Sequence, residues 1–232
     1  ETGFSQRPSK VIYDRNHSSI RELVPGELDW RRILAGKRWF HFSGTAPALG
    51  DNVTAVLEEA LDTARELGVT TSCDCNYRSK LWAPDKASRV LSHLFSRVDV
   101  FVGGVEDAEK LFGICVPEDL RGREDASAEF AARRLREKFG FTWVGVTLRG
   151  GASASVNEYA GLVCCAEGCA SSRSYQIQIV DRVGAGDAFT AGMVFQILRG
   201  ADAAHVVEFA AAAACLKHTI PGDFNLVSVE EV

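Results

Sequence analysis

The residues best suited to chemistry lie in the run Val180-Asp181-Arg182-Val183-Gly184-Ala185-Gly186-Asp187-Ala188-Phe189. Glycines where a strand meets a helix let backbone N–H groups point at an oxyanion, and a helix N-terminus adds about half a positive charge. Gly184, Ala185 and Gly186 therefore read as an anion hole whose natural guest is phosphate. Asp187 beside it would repel that phosphate unless it had another task. Taking the proton from a hydroxyl that attacks the phosphate is such a task, which makes Asp187 a candidate general base. Local chemistry leaves two plainer readings open, a first-turn helix acid and an ordinary tight turn. A dinucleotide fold fits poorly, because the run lies late in the chain and lacks a third glycine at the required spacing.

These residues need a strand and a helix to place them. Tyr175 to Val180 is an alternating, β-branched run suited to a strand, and Ala188 to Leu198 has apolar residues at helical spacing until Gly200 ends it. The same rhythm runs through the rest of the chain. Strands are expected over 38–43, 69–74, 98–102 and 141–148, with helices over 51–67, 84–95 and 125–139. Asp51 is expected to cap the first of these helices, with Val53, Val56, Leu57, Ala60, Leu61, Ala64 and Leu67 on one face and Gly68 closing it. Gly161 to Ser174 reads as a turn-rich break. Alternation of this kind implies an α/β fold, a mostly parallel sheet with helices on both faces.

Further candidates fall near the expected strand ends. Asn76 and Arg78 follow the 69–74 strand, where parallel sheets hold ligands, and Arg78 has the paired donors that suit a carboxylate or phosphate. A surface ion pair is the alternative for Arg78. Thr147, Arg149, Gly150 and Gly151 are expected to end another strand with a glycine pair that suits close approach of a nucleotide. Tyr13 and Arg15, two apart on an extended segment, project from one face; an edge strand facing water is the plainer reading. Arg133, Arg134, Arg136 and Lys138 read as a solvated helix face.

Composition sets the class. The 232 residues are 46% hydrophobic and 25% charged, as in a globular protein with a substantial core, and the net charge of −5 argues against a nucleic-acid partner. No segment has membrane-spanning length and no N-terminal signal pattern is present, so the cytoplasm is the expected location. The seven cysteines lack zinc spacing and read as reduced thiols, the Cys164-Cys165 and Cys169 cluster included.

The string Asp181 to Phe189, with Ala191-Gly192 after it, resembles the C-terminal signature of the ribokinase-like (PfkB) carbohydrate kinases. Three further strings resemble their 2-keto-3-deoxygluconate kinase branch: Val11-Ile12-Tyr13-Asp14-Arg15, Asp74 to Trp82, and Leu216-Lys217-His218-Thr219-Ile220-Pro221-Gly222-Asp223-Phe224-Asn225. The resemblance implies one ribokinase-like kinase domain over residues 1–232, with a small β lid whose strand is 9–16 and through which copies could associate. It also implies ATP and Mg²⁺ as cofactors and a keto-deoxy sugar acid as the partner that is phosphorylated. Tyr13, Arg15, Arg78, Asp187 and Asp223 would contact the sugar acid; Asn76, Arg78, Thr147, Arg149, Gly150, Gly151, Gly184 and Gly186 would contact the nucleotide. For Asp223, a plain turn residue in Pro-Gly-Asp is the local alternative.

Two departures stand out. The family's N-terminal portion, with its first strands, a sugar-binding glycine pair and part of the lid, has no counterpart here, and the expectation is a truncated sequence. Gly104 stands where relatives carry an Asn, leaving Asp107 to organise Mg²⁺ indirectly. A neutral-sugar kinase of fructokinase type and a non-catalytic sugar-acid-binding protein are the competing readings.

Overall fold

The computed structural model describes residues 3–12, 14–151 and 153–232. It contains seven α-helices and seven strands among these residues, alternating as expected over the first half of the chain. The chain divides into two compact units, each described by itself below: Tyr13–Pro117 with Arg133–Val144, and Glu1–Ile12 with Glu118–Ala132 and Gly145–Val232.

The first unit runs α1 (Trp30–Leu34), β1 (Trp39–Ser43), α2 (Asp51–Glu66), β2 (Thr70–Asp74), α3 (Pro84–Phe95), β3 (Val100–Gly103) and α4 (Val105–Phe112). It closes with the second half of α5 (Glu124–Phe139) and the start of β4 (Trp143–Gly151). β1 pairs β2 in parallel from Trp39↔Thr70 to Ser43↔Asp74, and β2 pairs β3 in parallel from Ser72↔Val100 to Asp74↔Val102. The carboxyl ends of the three strands therefore share one edge, which is where such sheets hold ligands.

Helix α2 buries Val53, Val56, Leu57, Ala60, Leu61 and Ala64, the stripe expected from their spacing. Gly68 closes it in the left-handed region at φ +66°. Two details differ. Leu67 is exposed, because it stands beyond the last helical turn, and Asp51 is a first-turn residue paired with Lys86 at 2.8 Å rather than the cap, a position held by Gly50. The core of this unit is aromatic. Phe95 meets Phe101, Phe112, Phe139 and Phe141 at centroid separations of 5.3–5.5 Å, mostly edge to face, each such pair worth about 0.5–1.5 kcal/mol beyond its buried area.

The second unit holds the start of α5, the rest of β4, β5 (Val156–Cys165), β6 (Gly168–Ser171), β7 (Tyr175–Gln178), α6 (Ala185–Leu198) and α7 (Ala203–Lys217). Here the pairing is antiparallel: β5 with β6 from Leu162↔Ser171 to Cys165↔Gly168, and β5 with β7 from Val156↔Gln178 to Tyr159↔Tyr175. The hydrogen-bonded order is β1-β2-β3-β4-β5-β6, with β7 on β5, an α/β sheet that is mixed, with parallel pairs in the first unit and antiparallel pairs in the second.

Helix α6 is seated by Phe189, whose ring lies where any Cβ on Gly161 of β5 would stand, 2.5 Å away. A glycine there lets the helix approach the sheet closely. That seat fixes the direction of the helix start.

Several expectations are corrected in this unit. Residues 161–174 carry the end of β5 and all of β6, a hairpin hidden because small and polar residues stand at its turn. Cys164 and Cys169 face each other across it and form a disulfide instead of free thiols. The strand expected to reach Val180 stops at Gln178, and β4 continues through Gly151, so Gly150 and Gly151 end the strand from inside it. Residues 9–12 and 14–16 carry no strand, so the expected lid strand does not form among them. No helix among the described residues is long and apolar enough to cross a membrane.

Candidate active site

The second unit gathers most of the residues expected to hold phosphate. Gly184 caps α6 at φ +81°, and a Cβ on it would run into the Asp223 carbonyl oxygen, so only glycine allows this approach. The helix begins one residue later than its cap, which places Ala185 and Gly186 in its first turn rather than in a loop before it. The first helical bond runs from Ala188 N–H to the Gly184 carbonyl at 2.8 Å. N–H groups of Gly186 and Asp187 thus lie outside the helical ladder, and no side chain caps this end. The Asp187 side chain is exposed on the same turn.

Cationic side chains surround the helix start. The Arg149 guanidinium, projecting from β4 over the Tyr159 ring at 5.7 Å, comes within 3.3 Å of where a Gly186 Cβ would stand. Arg182 donates to the Ala154 carbonyl at 2.7 Å and to Asn157 Oδ1 at 3.1 Å; burial, then the Arg149 charge, lowers its pKa. Burial also lowers the His218 pKa, with the charges of Arg149, Arg182 and Lys217 acting the same way against the Ala214 carbonyl it contacts at 2.7 Å. Positive charge converges on a helix N-terminus. An anion is the ligand such a cradle fits.

Hydrogen bonds hold the cradle to the C-terminal segment. The Asp181 carboxylate accepts from Val183 N–H at 3.1 Å and Gly222 N–H at 2.9 Å, and the His218 carbonyl accepts from Val180 and Asp181. Burial works against the Asp181 charge, but the N–H groups of Val183, Gly222 and Arg182 and the Lys217 ammonium hold its pKa below the usual value. Asp223 is exposed, and what it presents to the cradle is its main-chain carbonyl. Thr147 and Arg149 lie on the same face of β4, whereas Gly150 and Gly151 pack against Glu158 and Asn157 of β5.

The first unit places Asn76 and Arg78 just beyond the carboxyl end of β2. Asn76 adopts φ +40°, with its N–H on Asp74 Oδ1 at 3.0 Å and its side-chain amide on Ser43 Oγ at 3.1 Å. Arg78 is exposed and donates to the Tyr77 carbonyl at 3.1 Å, while Tyr77 itself is buried with its hydroxyl on the Trp82 carbonyl. Asp107 accepts the Gly104 N–H at 3.2 Å; burial raises its pKa against that bond and the Arg78 charge. One carboxylate oxygen is thus committed to capping α4. No group of three or more His, Cys, Asp or Glu able to hold a metal occurs among the described residues. Arg15 is half-buried, with its carbonyl accepting from Ser18 Oγ at 2.9 Å. Tyr13 lies outside the described residues.

Residues 10–227 match the pattern of the pfkB family carbohydrate kinases. The chain belongs to this family. Among curated pfkB relatives, the 2-dehydro-3-deoxygalactonokinase of Haloferax volcanii is 32% identical over 232 residues, covering 100% of this chain and 67% of the relative. The 2-dehydro-3-deoxygluconokinase of Bacillus subtilis is 28% identical over 225 residues, 96% of this chain and 63% of its own length. The crystal structure of 2-dehydro-3-deoxygluconokinase from Thermotoga maritima superposes with a TM-score of 0.94 at 48% identity, over 100% of this chain and 69% of that one. The chain therefore spans about two thirds of the length of these pfkB proteins.

Sequence reasoning passed over Asp181, Arg182, Lys217 and His218, although all four stand in the strings that carried the resemblance. A readable signal was Lys217 itself, a lysine at the end of the apolar run Val206 to Leu216.

Proposed function

We propose that this chain phosphorylates a hydroxyl of 2-keto-3-deoxygluconate or a close keto-deoxy sugar acid, with ATP and Mg²⁺. The observation that carries this reading is the exposed Asp187 carboxylate on the same helical turn as the uncapped N–H groups of α6, beside the Arg149 guanidinium. Asp187 takes the proton from the acceptor hydroxyl as its oxygen attacks the terminal phosphorus, and ADP leaves. Gly184 keeps the turn open, Gly186 and Asp187 N–H groups and Arg149 hold the phosphoryl charge, and Thr147, Gly150, Gly151 and Asn76 belong to the nucleotide contact. Arg15 and Arg78, with Tyr13 and Asp223, are assigned to the sugar acid. The names of the Haloferax volcanii, Bacillus subtilis and Thermotoga maritima proteins support a keto-deoxy sugar acid as substrate. Use of ATP fits a cytoplasmic enzyme.

The test is ATP consumption by the full-length protein over a panel of keto-deoxy sugar acids and neutral sugars. Turnover is expected with the acids. A charge-assisted contact is worth about 1.5–3 kcal/mol, so Arg78→Ala should weaken the acid by about 10-fold or more and spare a neutral sugar. Equal losses for both ligands, or turnover of neutral sugars alone, would overturn the assignment.

A further inference from the structure

Lys217 ends helix α7 and is 0% exposed, the deepest charged side chain among the described residues. A buried ammonium is costly unless its donors are met. Its Nζ donates to the carbonyls of Ile220 at 3.0 Å and Gly222 at 2.7 Å, and its charge helps hold the Asp181 carboxyl low. Asp181 in turn accepts from Val183 and Gly222, and the Lys217 Cε lies 3.3 Å from where a Cβ on Gly184 would stand. One ammonium therefore gathers two carbonyls beside the glycine that caps α6, with the Asp181 carboxylate near enough to feel its charge. The arrangement resembles the ligand shell of a small cation, with the cation tethered to the chain.

The geometry points to Lys217 as the positioning residue of the kinase reaction: a tethered cation that fixes the segments 181–184 and 220–223 against each other and so aims the N–H groups of α6 and Asp187. The inference rests on the reading of this site as a phosphoryl-transfer centre. Lys217 touches no reacting atom in this account. It acts through the backbone it holds, and groups of this kind carry about 10–100-fold in activity.

The experiment compares Lys217→Met, which keeps most of the length without the charge, and Lys217→Ala in the full-length protein. In Lys217→Met, kcat should fall about 10–100-fold with the sugar-acid KM little changed, and calorimetric ATP affinity should drop about 10-fold. In Lys217→Ala, n-propylammonium, which replaces the missing carbons and nitrogen, should restore turnover saturably. Tetrapropylammonium at equal ionic strength should not, and the parent should respond to neither. A kcat for Lys217→Met within twofold of the parent overturns the proposal, as does rescue by both ions alike. Loss of fold in both variants that propylammonium does not reverse also overturns it, since Lys217 would then serve core stability alone. If the parent binds ATP but phosphorylates no sugar acid, the substrate reading fails, and the ATP affinities of parent and Lys217→Met still decide the role of Lys217.

Discussion

The two units position chemistry by different means. In the first, Asn76 and Arg78 stand on a loop anchored largely by the buried rings of Tyr77 and Trp82, with two hydrogen bonds from Asn76 to Asp74 and Ser43 beside them. In the second, the start of α6 is held by polar groups: Lys217 on two carbonyls, Asp181 on two N–H groups, Arg182 on Ala154 and Asn157. Apolar packing tolerates changes of pH but suffers from lost volume. A polar staple is sensitive to single atoms and to protonation, yet it sets direction more sharply, as a helix dipole aimed at a phosphate requires.

The contrast can be broken most sharply at Asp187. Its exposure means that Asp187→Asn should leave the melting temperature unchanged while kcat falls about 10²–10⁴-fold, with ATP binding retained; unchanged turnover would remove the general base from the mechanism. Phe95→Ala should do the reverse. Truncating a fully buried ring costs about 3–5 kcal/mol, so chemical denaturation should show a large loss of stability while kcat of the remaining folded protein changes little.

Gly104→Asn tests whether the Gly104–Asp107 loop takes part in organising Mg²⁺. Gly104 has φ −110°, and the nearest atom to a new Cβ is Asp107 Oδ2 at 3.7 Å, so an Asn side chain fits without strain. If this loop helps to organise Mg²⁺, an amide added beside Asp107 should lower the Mg²⁺ concentration for half-maximal rate by about 10-fold. A titration with no shift would show that another group already fills that role.

The smallest effect should come from His218. Its pKa is lowered by burial from 6.5, so the folded state resists the proton that the unfolded chain accepts. The stability it contributes is present above pH 6.5 and is lost as pH falls from there through the folded value, by at most about 1.4 kcal/mol per pH unit. His218→Gln should flatten thermal stability against pH just below 6.5. A profile as steep as the parent's would place the acid sensitivity elsewhere, with Asp181 the next group to examine, because its lowered pKa acts the same way at lower pH.

Much of this was legible in the sequence, and what was hidden follows a pattern. Helix α2's buried face, helix α3 to the residue and the β1 to β3 strands were readable because their apolar spacing matches one period over several turns. The β5–β6 hairpin was not, since Gly161 to Ser174 mixes small and polar residues with no clear two-residue alternation. The Cys164–Cys169 pairing escaped for a related reason: residues five apart meet only if the chain reverses between them.

By itself the sequence determined the alternation of elements in the first half of the chain and the glycine-flanked helix start that carries Asp187, because local propensity and short spacing govern those. The tertiary structure alone decided that β4 runs on through Gly151, that Ala185 and Gly186 lie inside α6, and that Asp223 meets the cradle through its carbonyl. It alone decided, too, that the lysine closing α7 lies buried under that cradle. The physical reason is one of range. Periodicity records which face of an element is apolar, whereas the partner of a buried ammonium is set by where another part of the chain brings its carbonyls, and no local pattern carries that.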